Sequence, residues 1–130
     1  LTSVLLQSIF HYSMHFLAIG IIAYFFDKKT WKQNWIILAV TMLVDIDHIF
    51  ASPFFDPNRC GIGFHPLHSQ IAIICYILGA VFLKKGIFKL IFIGLCFHML
   101  TDFIDCLWTF SKCGDCYENS ALKQLISNSM

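Results

Sequence analysis

The chain has 130 residues, of which 58% are hydrophobic and only 13% charged, with a mean hydropathy of +0.71. A soluble domain carries about 25% charged residues, so this composition excludes a disordered chain and argues against an ordinary water-soluble globule. The formal net charge of +1 leaves no basic face of the kind nucleic acid demands.

Four apolar runs follow in chain order. The first, Val4 to Phe26, ends in Asp27-Lys28-Lys29, and the second runs from Trp35 to Phe50. The third opens at Pro66 and closes at Leu83, and the fourth runs from Ile87 to Phe110. At a rise of about 1.5 Å per residue, the first and last can cross roughly 30 Å of hydrocarbon. The middle two are shorter. Each meets a polar motif at one end, which fits a wet cavity lined by protein. The first run is too long for a secretory leader and lacks a basic start and a small-residue cleavage site. The sequence therefore predicts an all-α integral membrane four-helix bundle over residues 1–112 and a more polar tail over 113–130. That tail has one amphipathic face, built from Ala121, Leu122, Leu125 and Ile126.

Lysines orient the bundle. Lys28, Lys29 and Lys32 separate the first two runs, and Lys84, Lys85 and Lys89 separate the last two, so six of nine basic residues fall in two turns on one side. The positive-inside rule makes that side cytoplasmic and puts both termini outside, with Trp31, Trp35 and Trp108 near the interfaces.

The polar residues inside these runs are concentrated at one depth. His11 and His15 are spaced i,i+4 in the first run, Asp45, Asp47 and His48 close the second, His65 and His68 open the third, and His98, Asp102 and Asp105 form one stripe of the fourth. Each motif alone has a bland reading: a packing histidine, a capping Asp-x-Asp, a chance i,i+4 pair. Together, six imidazoles and four carboxylates at one level carry a large desolvation cost that packing alone does not offset. The pattern predicts a metal site with ligands His11, His15, Asp45, Asp47, His48, His65, His68, His98 and Asp102. Imidazole with carboxylate suits zinc first, with iron, manganese or nickel as alternatives. The surplus of donors points to two ions sharing aspartates, the arrangement used for hydrolysis of phosphoesters and related bonds. Asp47 and Asp105 are the candidates for general base.

The segments "HFLAIG", "VDIDH", "FHPLHS" and "FHMLTD" resemble motifs of the bacterial inner-membrane metal-dependent hydrolases, small polytopic proteins. Those proteins share an early His, a Leu-x-Asp-x-Asp-His, a His motif ending His-Ser, and a late His-x-x-x-Asp. "DPNRCGIGFHPLHS" with "DFIDC" resembles a smaller membrane subfamily within that group, and the likeness covers about residues 11–106. The spacing of His65 and His68 is tighter than is usual in the wider group, and His11 and Asp105 are additions to its pattern. The resemblance implies a multi-pass protein of the bacterial inner membrane, with its site facing the periplasm.

Between the second and third runs, the turn-rich segment 51–64 carries Arg59, the sole arginine, which suits a substrate phosphate or an ion pair with Asp56. Cys60, Cys106, Cys113 and Cys116 all map to the outer side, where disulfides persist. Of three possible pairings, Cys60 with Cys106 would tie this segment to the last run, leaving Cys113 with Cys116. Cys75 and Cys96 read as packing residues.

The expected function is metal-dependent hydrolysis of an ester or phosphoester at the outer membrane face, with membrane lipid as environment and candidate substrate. No nucleic-acid partner is expected, and homo-oligomerisation is open but not indicated. Two other classes compete: a non-enzymatic protein binding metal or axially ligated haem, and a metal transporter. The latter requires ionisable residues along a path, and the inner halves of the runs have none.

Overall fold

The computed structural model describes residues 2–50, 62 and 65–112, without the side chains of Val4 and residues 48–50. These residues form four helical rods and, among the described residues, no strand. The first rod comprises α1 (Thr2–Ser13), a π-helical turn (Met14–Ala18) and α2 (Ile19–Phe26). The second is α3 (Trp31–Val40) continued by a 3-10 segment (Thr41–Phe50), so it starts four residues before the apolar run that marks it. In the third, a 3-10 turn (Pro66–His68) leads into α4 (Gln70–Phe82), and the fourth is the single helix α5 (Ile87–Lys112).

Two of the rods are long and apolar enough to cross a membrane: Leu5–Phe26, of 22 residues, and Ile87–Lys112, of 26. The other two fall short by that measure, α4 having only 13 residues.

Rods consecutive in the chain run antiparallel, and α5 touches all three others. Lys85 Nζ sits 5.4 Å above the Phe26 ring, which brings the two lysine-rich turns to one end. Next to that end lies the apolar core of Ile19, Ala23, Leu38 and Leu90, flanked by Ile22, Phe26, Trp35 and Phe97. A cleft of about 420 Å³ opens there among Asp27, Asn34, Lys85 and Leu90. The opposite half of the interior is polar. Fully buried side chains there include His15, Asp47, His65, His68, His98 and Thr101, while large apolar side chains such as Phe25, Ile71, Phe82 and Phe88 are exposed. This inverts the usual water-soluble distribution.

Two local departures from α geometry set the polar half. In the 3-10 segment the buried residues are Thr41, Val44 and Asp47, one in every three, as a helix with three residues per turn requires. Asp45 therefore lies on a different face from Asp47. In the first rod, the π turn widens the backbone, and the Phe16 carbonyl inside it accepts a hydrogen bond from Trp35 Nε1 at 2.7 Å. That bond fixes the first rod against the second beside His15.

Close approach of the second and fourth rods depends on Gly94. A Cβ there would meet Leu38 Cδ2 and Thr41 Cγ2 at 2.8 Å, so only glycine lets the 3-10 segment lie this near α5. Small residues serve this purpose at helix crossings in lipid, where apolar side chains gain nothing from leaving the solvent. His98 stands one turn beyond Gly94, so the same crossing brings Asp45 within reach of it.

Candidate metal centre

Asp45, His68, His98 and Asp102 come from three different rods, and one potential ligand atom of each lies within 4.8 Å of the others. His68 Nε2 is 3.3 Å from Asp45 Oδ1 and 3.2 Å from Asp102 Oδ2. His98 Nε2 is 3.1 Å from Asp45 Oδ1 and 3.2 Å from Asp102 Oδ2. Zinc held tetrahedrally at about 2.0–2.1 Å from each donor has its donors about 3.3 Å apart. The four N···O separations match the edges of that tetrahedron.

Proton bookkeeping points the same way. His68 Nδ1 lies 3.2 Å from Asp47 Oδ2, and since a carboxylate only accepts, the ring must donate from Nδ1. In the neutral form that metal ligation requires, His68 then turns its Nε2 lone pair toward two more carboxylates, with a cation fitting between them. In that form Asp45, Asp47 and Asp102 bring three negative charges against two imidazoles that are themselves fully buried. Charge removed from water at such a place needs a counter-charge.

Asp47 stands one step outside this donor set. It is buried and accepts from both Leu67 N, at 2.8 Å, and His68 Nδ1. A carboxylate on the far nitrogen of a ligating imidazole fixes its tautomer and orientation. The short turn Pro66–His68 is aligned by that pair of bonds, by Ser69 Oγ capping Ala72 N at 3.2 Å, and by Tyr76 Oη donating to the Leu67 carbonyl at 3.0 Å. Asp45, in contrast, keeps its side chain 46% exposed, so the donor set is reached from its side.

A second group of donors, His11, His15 and Asp102, adjoins the first. The His11 and His15 ring centroids are 4.3 Å apart, and the His15 ring lies 4.5 Å from that of His98. Asp105 belongs to neither group. It lies 3.9 Å from His11 Nδ1 and accepts a 2.9 Å hydrogen bond from Gln7 Nε2. His65 is buried, with its ring 5.8 Å from that of His68, and is likewise in neither group. The side chain of His48, and Arg59, Cys60, Cys113 and Cys116, lie outside the described residues. Cys75 and Cys96 are free thiols, whereas Cys106 is disulfide-bonded.

Sequence reasoning missed the outer brace between the first and fourth rods. Gln7 Nε2 donates to Asp105 Oδ1 and, at 2.8 Å, to Thr109 Oγ1, while Lys112 Nζ donates to Gln7 Oε1 at 3.0 Å. A signal was present: Gln7 extends the His11–His15 stripe by one more i,i+4 step, opposite Asp105 and Thr109. The cleft at the lysine-rich end has one carboxylate, Asp27, and no imidazole among its lining residues, so it offers no comparable donor set.

Residues 5–109 match the Family of unknown function (DUF6122), and the chain belongs to that family. No curated protein and no solved structure matches the chain. Family membership therefore covers the whole four-rod unit without assigning it chemistry, and the functional reading rests on the donor geometry.

Proposed function

We propose that this protein is a membrane-embedded metal-dependent hydrolase acting on an ester or phosphoester, with membrane lipid as its substrate source. The observation that carries this reading is the quartet Asp45, His68, His98 and Asp102, whose N···O separations of 3.1–3.3 Å match four edges of a zinc-sized tetrahedron. Zinc is the ion of choice for such a mixed imidazole–carboxylate set, and two ions are expected, because further donors adjoin the quartet. A divalent ion at such a place lowers the pKa of bound water toward about 7 and polarises a phosphoryl or carbonyl oxygen.

The chain's own residues supply the remainder. His68 and His98 come from separate rods and clamp the donor set, while Asp47 holds His68 in the tautomer that leaves Nε2 to ligate. The exposed edge of Asp45 is where substrate enters. Arg59, on the segment between the second and third rods, is assigned to the substrate phosphate, and Asp105 to proton acceptance near His11. Direct packing of the His15, His68 and His98 rings at centroid distances of 4.5 and 5.5 Å favours an ion over haem, which needs a gap for its macrocycle.

The apolar exterior and polar interior support a bilayer as solvent, with all four rods embedded. Two lysine-rich turns at one end support a cytoplasmic location for that end. By analogy with the bacterial hydrolases its motifs resemble, the donor quartet and both termini then face the periplasm of an inner membrane. We assign the disulfide partner of Cys106 to Cys60.

The test is turnover of a phospholipid and aryl-phosphoester panel by zinc-loaded protein in detergent. Turnover that disappears on chelation and in Asp102→Ala, and weakens in Arg59→Ala with metal content intact, is the expected result. Stoichiometric zinc without hydrolysis of any substrate overturns the enzyme reading in favour of a non-enzymatic metal protein.

A further inference from the structure

Asp102 presents its two oxygens to different partners. Oδ2 faces His68 and His98 at 3.2 Å each, and Oδ1 faces His15 Nε2 at 3.4 Å. One carboxylate thus lies between two donor groups, the quartet on one side and His11 with His15 on the other.

His15 itself demands an explanation. It is 2% exposed, and neither of its ring nitrogens makes a hydrogen bond; the approach to Asp102 has the distance but not the alignment. His11 Nδ1 is buried and unbonded as well, 3.9 Å from Asp105 and too far to donate to it. Burying an imidazole without a hydrogen bond is costly, and the neighbouring ring adds one more buried, unbonded nitrogen. Their position adds to the case. His15 lies in the π turn, a backbone irregularity frequent at functional sites, and Trp35 holds that turn in place.

Charge is compatible with more than one ion: with Asp105 beside His11, four carboxylates bring four negative charges, which two divalent cations balance. Paired hydrolytic ions stand about 3.5–4 Å apart, a spacing that one carboxylate bridges through its two oxygens.

We propose that His11, His15 and Asp102 Oδ1 form a second divalent-cation position, bridged to the quartet by Asp102, and that this second ion is the exchangeable one. It has three protein donors where the quartet has four, so it is held less tightly and keeps open coordination for substrate. His11 is also the more accessible of its two imidazoles, with a quarter of its side chain exposed. The proposal rests on the metal-centre reading above and adds the ligands of the second ion, the bridging carboxylate and the order of loss.

The experiment uses the full chain in detergent, loaded with zinc for elemental analysis and with manganese for electron paramagnetic resonance. Native protein should hold two zinc equivalents and lose one of them first to a graded chelator series. Its manganese form should give an exchange-coupled spectrum. His15→Ala should hold one equivalent and give the uncoupled six-line manganese signal, and His11→Gln, at a part-exposed position, should show the same loss if His15→Ala does not fold. One equivalent in native protein overturns the second position while leaving the metal centre standing. Two equivalents without coupling overturn the bridge, two equivalents retained in the folded variants overturn the ligand assignment, and no bound metal overturns both readings. The native spectrum decides the matter even if neither variant folds.

Discussion

Replacing Asp47 separates an orienting carboxylate from a ligating one. Its Oδ2 accepts two hydrogen bonds, from Leu67 N at 2.8 Å and His68 Nδ1 at 3.2 Å, at a position only 3% exposed. Removing such an outer partner of a metal-bound histidine lowers affinity by about 10–100-fold, equivalent to about 1.4–2.8 kcal/mol. Asp47→Ala should reach the upper part of that range, because the Leu67 amide loses its acceptor and the turn bearing His68 loosens. Asp47→Asn keeps an acceptor but no charge, and a neutral hydrogen bond is roughly half as strong as a charge-assisted one, so a loss near tenfold is expected. The assay is equilibrium competition for zinc against a chelator of known affinity, paired with elemental analysis at saturating zinc. Both variants should still fill to the native stoichiometry. Loss of a whole equivalent would make Asp47 a ligand, and native affinity together with native turnover in the alanine variant would remove it from the site altogether. Unchanged zinc affinity with abolished turnover would return it to the role of general base.

Three further outcomes follow from the packing. Gly94→Ala drives a methyl group to 2.8 Å from Leu38 Cδ2 and Thr41 Cγ2; overpacking of this kind costs about 1–3 kcal/mol, so the detergent-solubilised variant should melt at lower temperature and bind zinc more weakly. Native values for both would show that the crossing of the second and fourth rods does not set the Asp45–His98 distance. Gln7→Leu breaks the brace to Asp105 and Thr109, lowering thermal stability by about 1–3 kcal/mol while metal content stays native; lost metal would place Gln7 in the donor machinery. At the lysine-rich end, the Lys29 backbone N–H donates to Asp27 and holds its carboxyl below the usual 3.8. A depressed folded value means that its contribution to the turn is present above 3.8 and fades as pH falls through the lower folded value. Carboxyl resonances titrated by NMR should place its midpoint below 3.8, and a midpoint at or above that value refutes the contact.

Hydropathy made the four rods legible, and the depth of the histidines made the donor level legible, because a charged group inside an apolar run has few other uses. Helix boundaries were less visible: Trp31 to Asn34 add a turn to the second rod where composition suggests a connector. The backbone irregularities were not legible at all. Neither Met14–Ala18 nor Thr41–Phe50 contains a glycine or proline to break an α pattern, and both lie at tertiary contacts that spacing does not reveal, Trp35 with Phe16 and the Gly94 crossing. That limit affected the site directly. Asp45 and Asp47 look equivalent in "DIDH", yet three-residue periodicity sends one to the quartet and the other behind His68. Sequence spacing could nominate both but could not rank them.

The unequal lengths of the rods have a consequence for how the protein is made. Leu5–Phe26 and Ile87–Lys112 satisfy the bilayer by their own hydropathy, while the 13 residues of α4 extend about 20 Å and the 3-10 segment ends in charge. On the embedded reading, the outer two rods can enter lipid from the translocation machinery unaided, whereas the inner two become acceptable only once α5 covers their polar ends. Since α5 is synthesised last of the four, the chain must tolerate an interval in which Asp45 and His68 await His98 and Asp102 at the membrane edge. On that reading, docking after insertion completes the fold, and a cation bound by the quartet would stabilise it further.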